Sequence, residues 1–266
     1  MRLWVADGEA GLVLVDEAGR RTAGPPGRAL CAAAGRVFCL GDACCTCYDR
    51  RGTPLFQFPA PPNGCDLAAG GGVVYCLSGD ADSVTAYAAR DGELLFSAPA
   101  GAYPRALALG PDGQCLAAAG GAAGEILLFD PGLRLRRTIR VPGVACGVCF
   151  LGKGMAALCA VGDGELSSAL FRISPWGVTE EIFTCPQGPC CLQAVDNGCA
   201  VGCHGAVYFL TPEGRVQRAL PCAYPARIRR IPGGALICDP WQGQVLLRNG
   251  KGIHRGPAPE DALLEY

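Results

Sequence analysis

Groups that carry polar chemistry are scarce in this 266-residue chain. It has two histidines, His204 and His254, and three asparagines, Asn63, Asn197 and Asn249, each of which precedes a glycine and reads as a turn residue. That poverty weighs against acid–base catalysis, which most often needs a positioned histidine. Charged residues make up 18% and the net charge is −1, so no global field draws nucleic acid or an anionic membrane, and neither is expected as a partner. No run approaches the roughly 18 apolar residues of a membrane span. Met1-Arg2-Leu3-Trp4-Val5-Ala6-Asp7 lacks the apolar stretch of a signal peptide, and strand patterning starts within it, so a cytoplasmic protein is expected. No long helical pattern appears, which points to an all-β class.

What is abundant fits that class. Hydrophobic residues make up 50%, with 39 glycines and 21 prolines, the punctuation of many short strands joined by tight turns. A short apolar run, a polar residue and a glycine recur at Gly19, Gly52, Gly92, Gly132, Gly177, Gly214 and Gly250, with spacings of 33 to 45 residues. That period suits a four-stranded propeller blade, and seven of them predict a seven-bladed β-propeller of antiparallel blades spanning 1–266 as a single domain. A monomer is expected.

The 18 cysteines are even in number, yet in a non-secreted chain they read as reduced thiols rather than a disulfide framework. Cys39, Cys76, Cys159 and Cys238 fall in the second strands of their blades, where a small apolar residue suits the crowded interior. Cys44, Cys45 and Cys47 could offer sulfur to a soft metal, but zinc wants four ligands and no histidine or second cysteine pair lies near in sequence. No metal and no cofactor are expected.

The fourth blade is the clearest, with strands a to d, from the axis outward, at 105–109, 114–119, 125–129 and 133–141. Its turns are Pro111-Asp112-Gly113 and Asp130-Pro131-Gly132. Other inner strands start near Ala29, Cys65, Ala145, Cys190 and Ala226. The chain opens on strand b of the first blade, which therefore lacks its innermost strand, while Asp261-Ala262-Leu263-Leu264-Glu265-Tyr266 remains after the seventh blade is complete. The tail is expected to supply the missing strand, with Leu263 buried between blades; a short terminal helix is the alternative.

Leu3-Trp4-Val5-Ala6-Asp7-Gly8-Glu9-Ala10-Gly11-Leu12-Val13-Leu14-Val15-Asp16 resembles the repeat of the YVTN-repeat propellers: strand, Asp or Asn with Gly, strand, Asp. Echoes recur at Val74-Tyr75-Cys76-Leu77-Ser78-Gly79-Asp80 and Ile126-Leu127-Leu128-Phe129-Asp130. The resemblance implies architecture over the whole chain and no particular activity, because WD-repeat, NHL-repeat and lactonase-type propellers share this skeleton. Trp-Asp at the strand c ends and Gly-His at the blade starts, which mark WD-repeat proteins, are both missing.

Two functions of different class remain. One is a non-catalytic propeller that binds a protein partner or a small anionic ligand; the other is a lactonase-like hydrolase or lyase with its site at the channel mouth. The scarcity of acid–base residues favours the first. The calcium ligands of gluconolactonase-type propellers, which include asparagine, are not matched by asparagines that all sit in turns. His254 falls on an outer strand, where a solvated role is expected. His204 lies in a b–c loop of the sixth blade, beside Arg227 and Arg229 on the next inner strand and Asp239 and Trp241 beyond it. These five form the candidate ligand site. Arg227 either pairs with Asp239 across the hairpin or meets ligand, whereas Arg229 has no evident mate and points to the channel. Asp7, Asp42, Asp80, Asp163 and Asp239 at strand b ends either ring the mouth or cap turns, and the capping role is favoured.

Overall fold

The computed structural model describes residues 2–162 and 167–265; Met1, Asp163 and Tyr266 of the segments above lie outside them. Seven four-stranded antiparallel sheets form the blades, and the described residues contain no helix. Blades are numbered here in chain order and their strands a to d from the axis outward. The inner strands are Pro259–Glu265, Ala29–Ala33, Gly64–Gly70, Ala106–Leu109, Val144–Leu151, Pro189–Val195 and Arg227–Ile231 for blades 1 to 7. Each touches the next, and the last touches the first, so the ring is closed.

The seam is the predicted one. Strand a of blade 1 comes from the tail and pairs with strand b, Arg2–Asp7, in the register Leu3↔Leu264, Trp4↔Leu263, Val5↔Ala262 and Ala6↔Asp261. Without it, strand b would expose a row of backbone donors and acceptors. Leu263 lies between blades as expected but is only half-buried: it packs against the cluster of Trp4, Leu30 and Val37 between blades 1 and 2 and also borders the lumen, while Ala262, on the opposite face of the strand, is wholly buried against blade 7.

Burial peaks in the middle of each blade, the inner a strands being partly open to the channel. The b and c strands are almost wholly buried, and the outer d strands, such as Leu94–Pro99 and Leu135–Arg140, are largely exposed. The apolar clusters span neighbouring blades: Phe38, Cys45 and Cys47 of blade 2 pack with Cys76 and Tyr87 of blade 3. All 18 cysteines are free thiols, and 13 of them are buried. A thiol fills the narrow space between inner sheets with little more volume than alanine.

Six of the seven repeating c–d turn glycines adopt a left-handed backbone, Gly19, Gly52, Gly92, Gly177, Gly214 and Gly250. Blade 4 departs: Leu133, at φ 57°, takes that conformation instead of Gly132. Asp130 Oδ1 accepts the amides of Gly132 and Arg134 at 3.0 and 2.9 Å and so fixes the turn, while the Leu133 side chain is buried against Phe129 and Leu127. Burying an isobutyl group, a gain of about 1.5–3 kcal/mol, offsets the left-handed strain.

Candidate functional site

The ladder between strands a and b puts one residue of each blade on a rim around the axis. In blades 1, 3, 5 and 6, strand a bulges at Glu260, Cys65, Cys146 and Cys190, which are skipped in the register. A bulge leaves the extra residue unpaired and re-aims its side chain. In blades 2, 4 and 7 the corresponding residue is Arg28, Arg105 or Ala226, whose amide bonds the carbonyl of Leu40, Ala119 or Cys238 at 2.8 to 3.0 Å. All seven line an axial channel of about 1150 Å³. The rim therefore carries one carboxyl, two guanidinium groups, three thiols and a methyl.

Just below it lie two wholly buried carboxylates. Asp66 and Asp261 each follow a bulged residue and make the same bonds: Oδ1 accepts the next amide in its own strand, Leu67 or Ala262, at 2.8 and 2.9 Å. Oδ2 accepts an amide of the neighbouring blade, Leu107 at 2.7 Å or Leu30 at 2.8 Å. Each carboxylate thus fastens one inner strand to the next.

The two arginines of the candidate site are bound to these carboxylates. Arg227 Nη1 donates to Asp66 Oδ1 at 2.8 Å and Nη2 to the Cys65 carbonyl, which ties blade 7 to blade 3. Arg229 grips Asp261 with Nε and Nη2 at 3.0 and 2.5 Å, and Nη2 also donates to the Leu30 carbonyl at 2.6 Å. The expectation that Arg229 has no mate is therefore wrong, as is the pairing of Arg227 with Asp239, since the residue across the ladder from Arg227 is Cys238. The mates come from blades 1 and 3, 32 and 161 positions away in sequence. Burial disfavours the charged guanidinium, but Asp261 outweighs it and holds Arg229 above the usual arginine value.

Asp239 is a buried loop anchor and does not face the lumen. Its Oδ2 accepts the Ala223 amide at 2.7 Å and the Cys222 thiol at 3.2 Å, and Oδ1 accepts the amide of Gln242 at 3.1 Å. The capping role also holds for Asp7, whose Oδ1 accepts the amides of Glu9 and Ala10 at 3.0 and 2.8 Å. Asp42 instead pairs with Arg28 at 2.8 Å, and Asp80 accepts from Asn63 at 3.1 Å.

The loop that Asp239 secures carries Tyr224, and with it the structure assembles an aromatic wall. Tyr224 and Trp241 stack at 5.0 Å with an interplanar angle of 14°, and His204 tilts against both at 5.2 and 5.8 Å. Trp241 is 69% exposed and Tyr224 lines the channel, so the pair runs from the outer surface to the opening. The structure thus brings together His204 and Trp241, but on a partner that sequence reasoning missed. An aromatic in the loop leading into strand a was the available signal for Tyr224; the residue starting each strand a was the signal for Arg105, Glu260 and the rim thiols.

Burial raises the Glu260 carboxyl above its ordinary range, against the pull of Arg28 and Arg227, and Glu260 has no hydrogen-bond partner among the described residues. Burial also pushes the Cys65 and Cys190 thiols up to about 12. The rim sulfurs are therefore protonated at neutral pH and are poor nucleophiles. Among the described residues no group of three or more His, Cys, Asp or Glu is arranged to hold a metal ion. His254, expected in solvent, is buried instead, with Nε2 unpartnered among the described residues, and burial holds it below its ordinary value.

No family model and no curated protein matches the chain in sequence. Its fold is similar to solved propellers. A candidate 6-phosphogluconolactonase from Bacteroides uniformis shares 15% identity over 98% of both chains at a TM-score of 0.78. Virginiamycin B lyase from Staphylococcus aureus shares 12% over 89% of this chain and 87% of its own, at 0.70. The WD40 propeller domain of Doa1 shares 14% over 89% and 85%, at 0.71. At such identities these likenesses establish the fold alone.

Proposed function

We propose that this propeller is a non-catalytic binding module that takes a small organic ligand into the mouth of its channel, against Tyr224 and Trp241. The stacked, accessible aromatic pair at the opening is the observation that carries this reading. In it, His204 and Trp241 contact the ligand, Asp239 holds the loops of Tyr224 and Trp241 in place, and Arg227 and Arg229 form a rigid charged floor. Against catalysis stands the use of both arginines and of Asp66, Asp239 and Asp261 in structural bonds, which leaves no acid–base pair at the mouth among the described residues. The free thiols suit a reducing cytoplasm.

The test is a thermal-shift panel of sugar lactones, sugar phosphates and aromatic acids, with hits measured by calorimetry. Trp241→Ala should weaken a hit by about tenfold, the size of one good aromatic contact, while Trp176→Ala, at an exposed turn away from the mouth, should leave it unchanged. If no compound binds, or the Trp241 variant binds as the parent does, the reading fails.

A lactonase-like hydrolase or lyase at the same mouth is the second reading. It draws on the unpartnered, partly buried Glu260, whose raised carboxyl could serve as an acid, and on the lactonase and lyase among the fold's neighbours. Turnover of a bound lactone, lost on Glu260→Gln, would establish it in place of the first.

A further inference from the structure

The lumen carries several arginines, and all but one are engaged. Arg28 pairs with Asp42 and Asn63, Arg230 with Asp196 at 2.7 Å, and Arg227 and Arg229 are bound to the buried carboxylates. Arg105 also lines the channel, is exposed, and has no side-chain hydrogen bond or ion pair among the described residues. Its neighbours on the rim, Cys65 and Cys146, are thiols that do not neutralise it.

We infer that Arg105 is the anion clamp of the mouth, and that the ligand is an oxyanion, carboxylate or phosphate, attached to a flat apolar ring that lies on Tyr224 and Trp241. This rests on the proposed role of the mouth. The guanidinium shares the opening with the aromatic wall, since Arg105 and Tyr224 line the same channel together with Cys65 and Cys146. A guanidinium offers the planar fork of donors that a carboxylate or phosphate accepts in pairs, and it keeps its charge at every physiological pH. Glu260 stands on the rim at blade 1 and Arg105 at blade 4, so the opening is polarised. The ligand's anion turns to blade 4, away from the carboxyl, and its ring to blades 6 and 7. A channel of about 1150 Å³ has room for both parts.

The test compares naphthalene-2-carboxylate, naphthyl phosphate and the neutral naphthalene-2-methanol by calorimetry with the parent, Arg105→Leu, Arg105→Lys and Trp241→Ala. The two anions should bind at least about tenfold more tightly than the alcohol, with a preference that weakens at high salt. Arg105→Leu should erase the preference, Arg105→Lys should keep part of it, and Trp241→Ala should weaken all three probes alike. Because Arg105 is exposed, an unchanged unfolding midpoint should accompany these losses. If alcohol and anions bind equally, or the leucine variant keeps the preference, the clamp is refuted while the ligand-binding mouth survives. If no probe binds the parent, or binding is indifferent to both Trp241 and Arg105, the clamp is refuted together with the proposed role of the wall.

Discussion

Arg229 and Asp261 lie where blade 7, the closing tail and blade 2 meet, so removing either should loosen the ring. Asp261 is wholly buried and the Arg229 side chain is 21% exposed. Stripping one partner from a buried ion pair typically costs about 3–5 kcal/mol, because the other charge is left uncompensated. Arg229→Met should fall below that range, at about 2–3 kcal/mol, because Asp261 keeps the amides of Leu30 and Ala262 and has Arg227 Nε at 3.9 Å. Asp261→Asn should cost more, about 3–5 kcal/mol, since an amide cannot accept with both of its ends and leaves the buried Arg229 without its anion, while Arg227 keeps Asp66.

The double variant should cost little more than Asp261→Asn alone, which gives a coupling of about 2 kcal/mol. Urea unfolding followed by far-UV circular dichroism measures the cycle, with an unchanged m value as the condition for comparing midpoints. In a thermal scan the arginine variant alone should lower the midpoint by roughly 5–10 °C for a chain of this length. If the two substitutions add to within about 0.5 kcal/mol, the pair is not coupled and the description of the lumen floor is wrong.

Deleting residues 261–266 removes the closing strand and its carboxylate together, and should lower the melting temperature by more than Asp261→Asn does; an equal or smaller loss would show that the seam does not depend on the strand. Thiol titration of the native protein should reach at most the five half-buried cysteines, Cys44, Cys65, Cys115, Cys146 and Cys190, with the 13 buried ones released only on denaturation. Rapid native labelling of Cys203 or Cys238 would contradict the packing. Burial holds His254 below its ordinary value of 6.5, so the unfolded chain takes up that proton first as pH falls; His254 therefore supports the fold above this value and ceases to do so as pH drops toward its folded one. The stability lost between about pH 7.5 and 5.5 should shrink in His254→Leu, and an unchanged loss would place the acid sensitivity elsewhere.

The seven glycine turns were enough to read the blade count, because each turn is a local solution to a backbone that must double back within two or three residues. Even where the local solution changed, at Leu133, the turn persisted, since Asp130 and a buried side chain supplied what the glycine would have. The closure was legible from the strand count, because a chain that opens on strand b leaves one inner strand wanting and the tail is the segment left to fill it. That count did not show how deeply each side chain is buried: Leu263, at the inner edge of the seam between blades 1 and 2, keeps part of its surface on the lumen.

The lumen resisted prediction for a different reason. A residue on strand a points at the axis, and its partners can come from any blade; Arg227 meets a carboxylate 161 positions away in sequence. Hairpin register is local and gives only the neighbour across the ladder, here Cys238, so a carboxylate one position on looked like the mate. The bulges complete the displacement, because each extra residue turns a rim side chain to the channel and sets the following one, Asp66 or Asp261, against the adjoining blade. An arginine's freedom in such a ring therefore follows from the acids on the other blades. Arg229, apparently free in its hairpin, is the most tightly held of them, while Arg105, unremarked in the sequence, stands at the opening with its charge unanswered among the described residues.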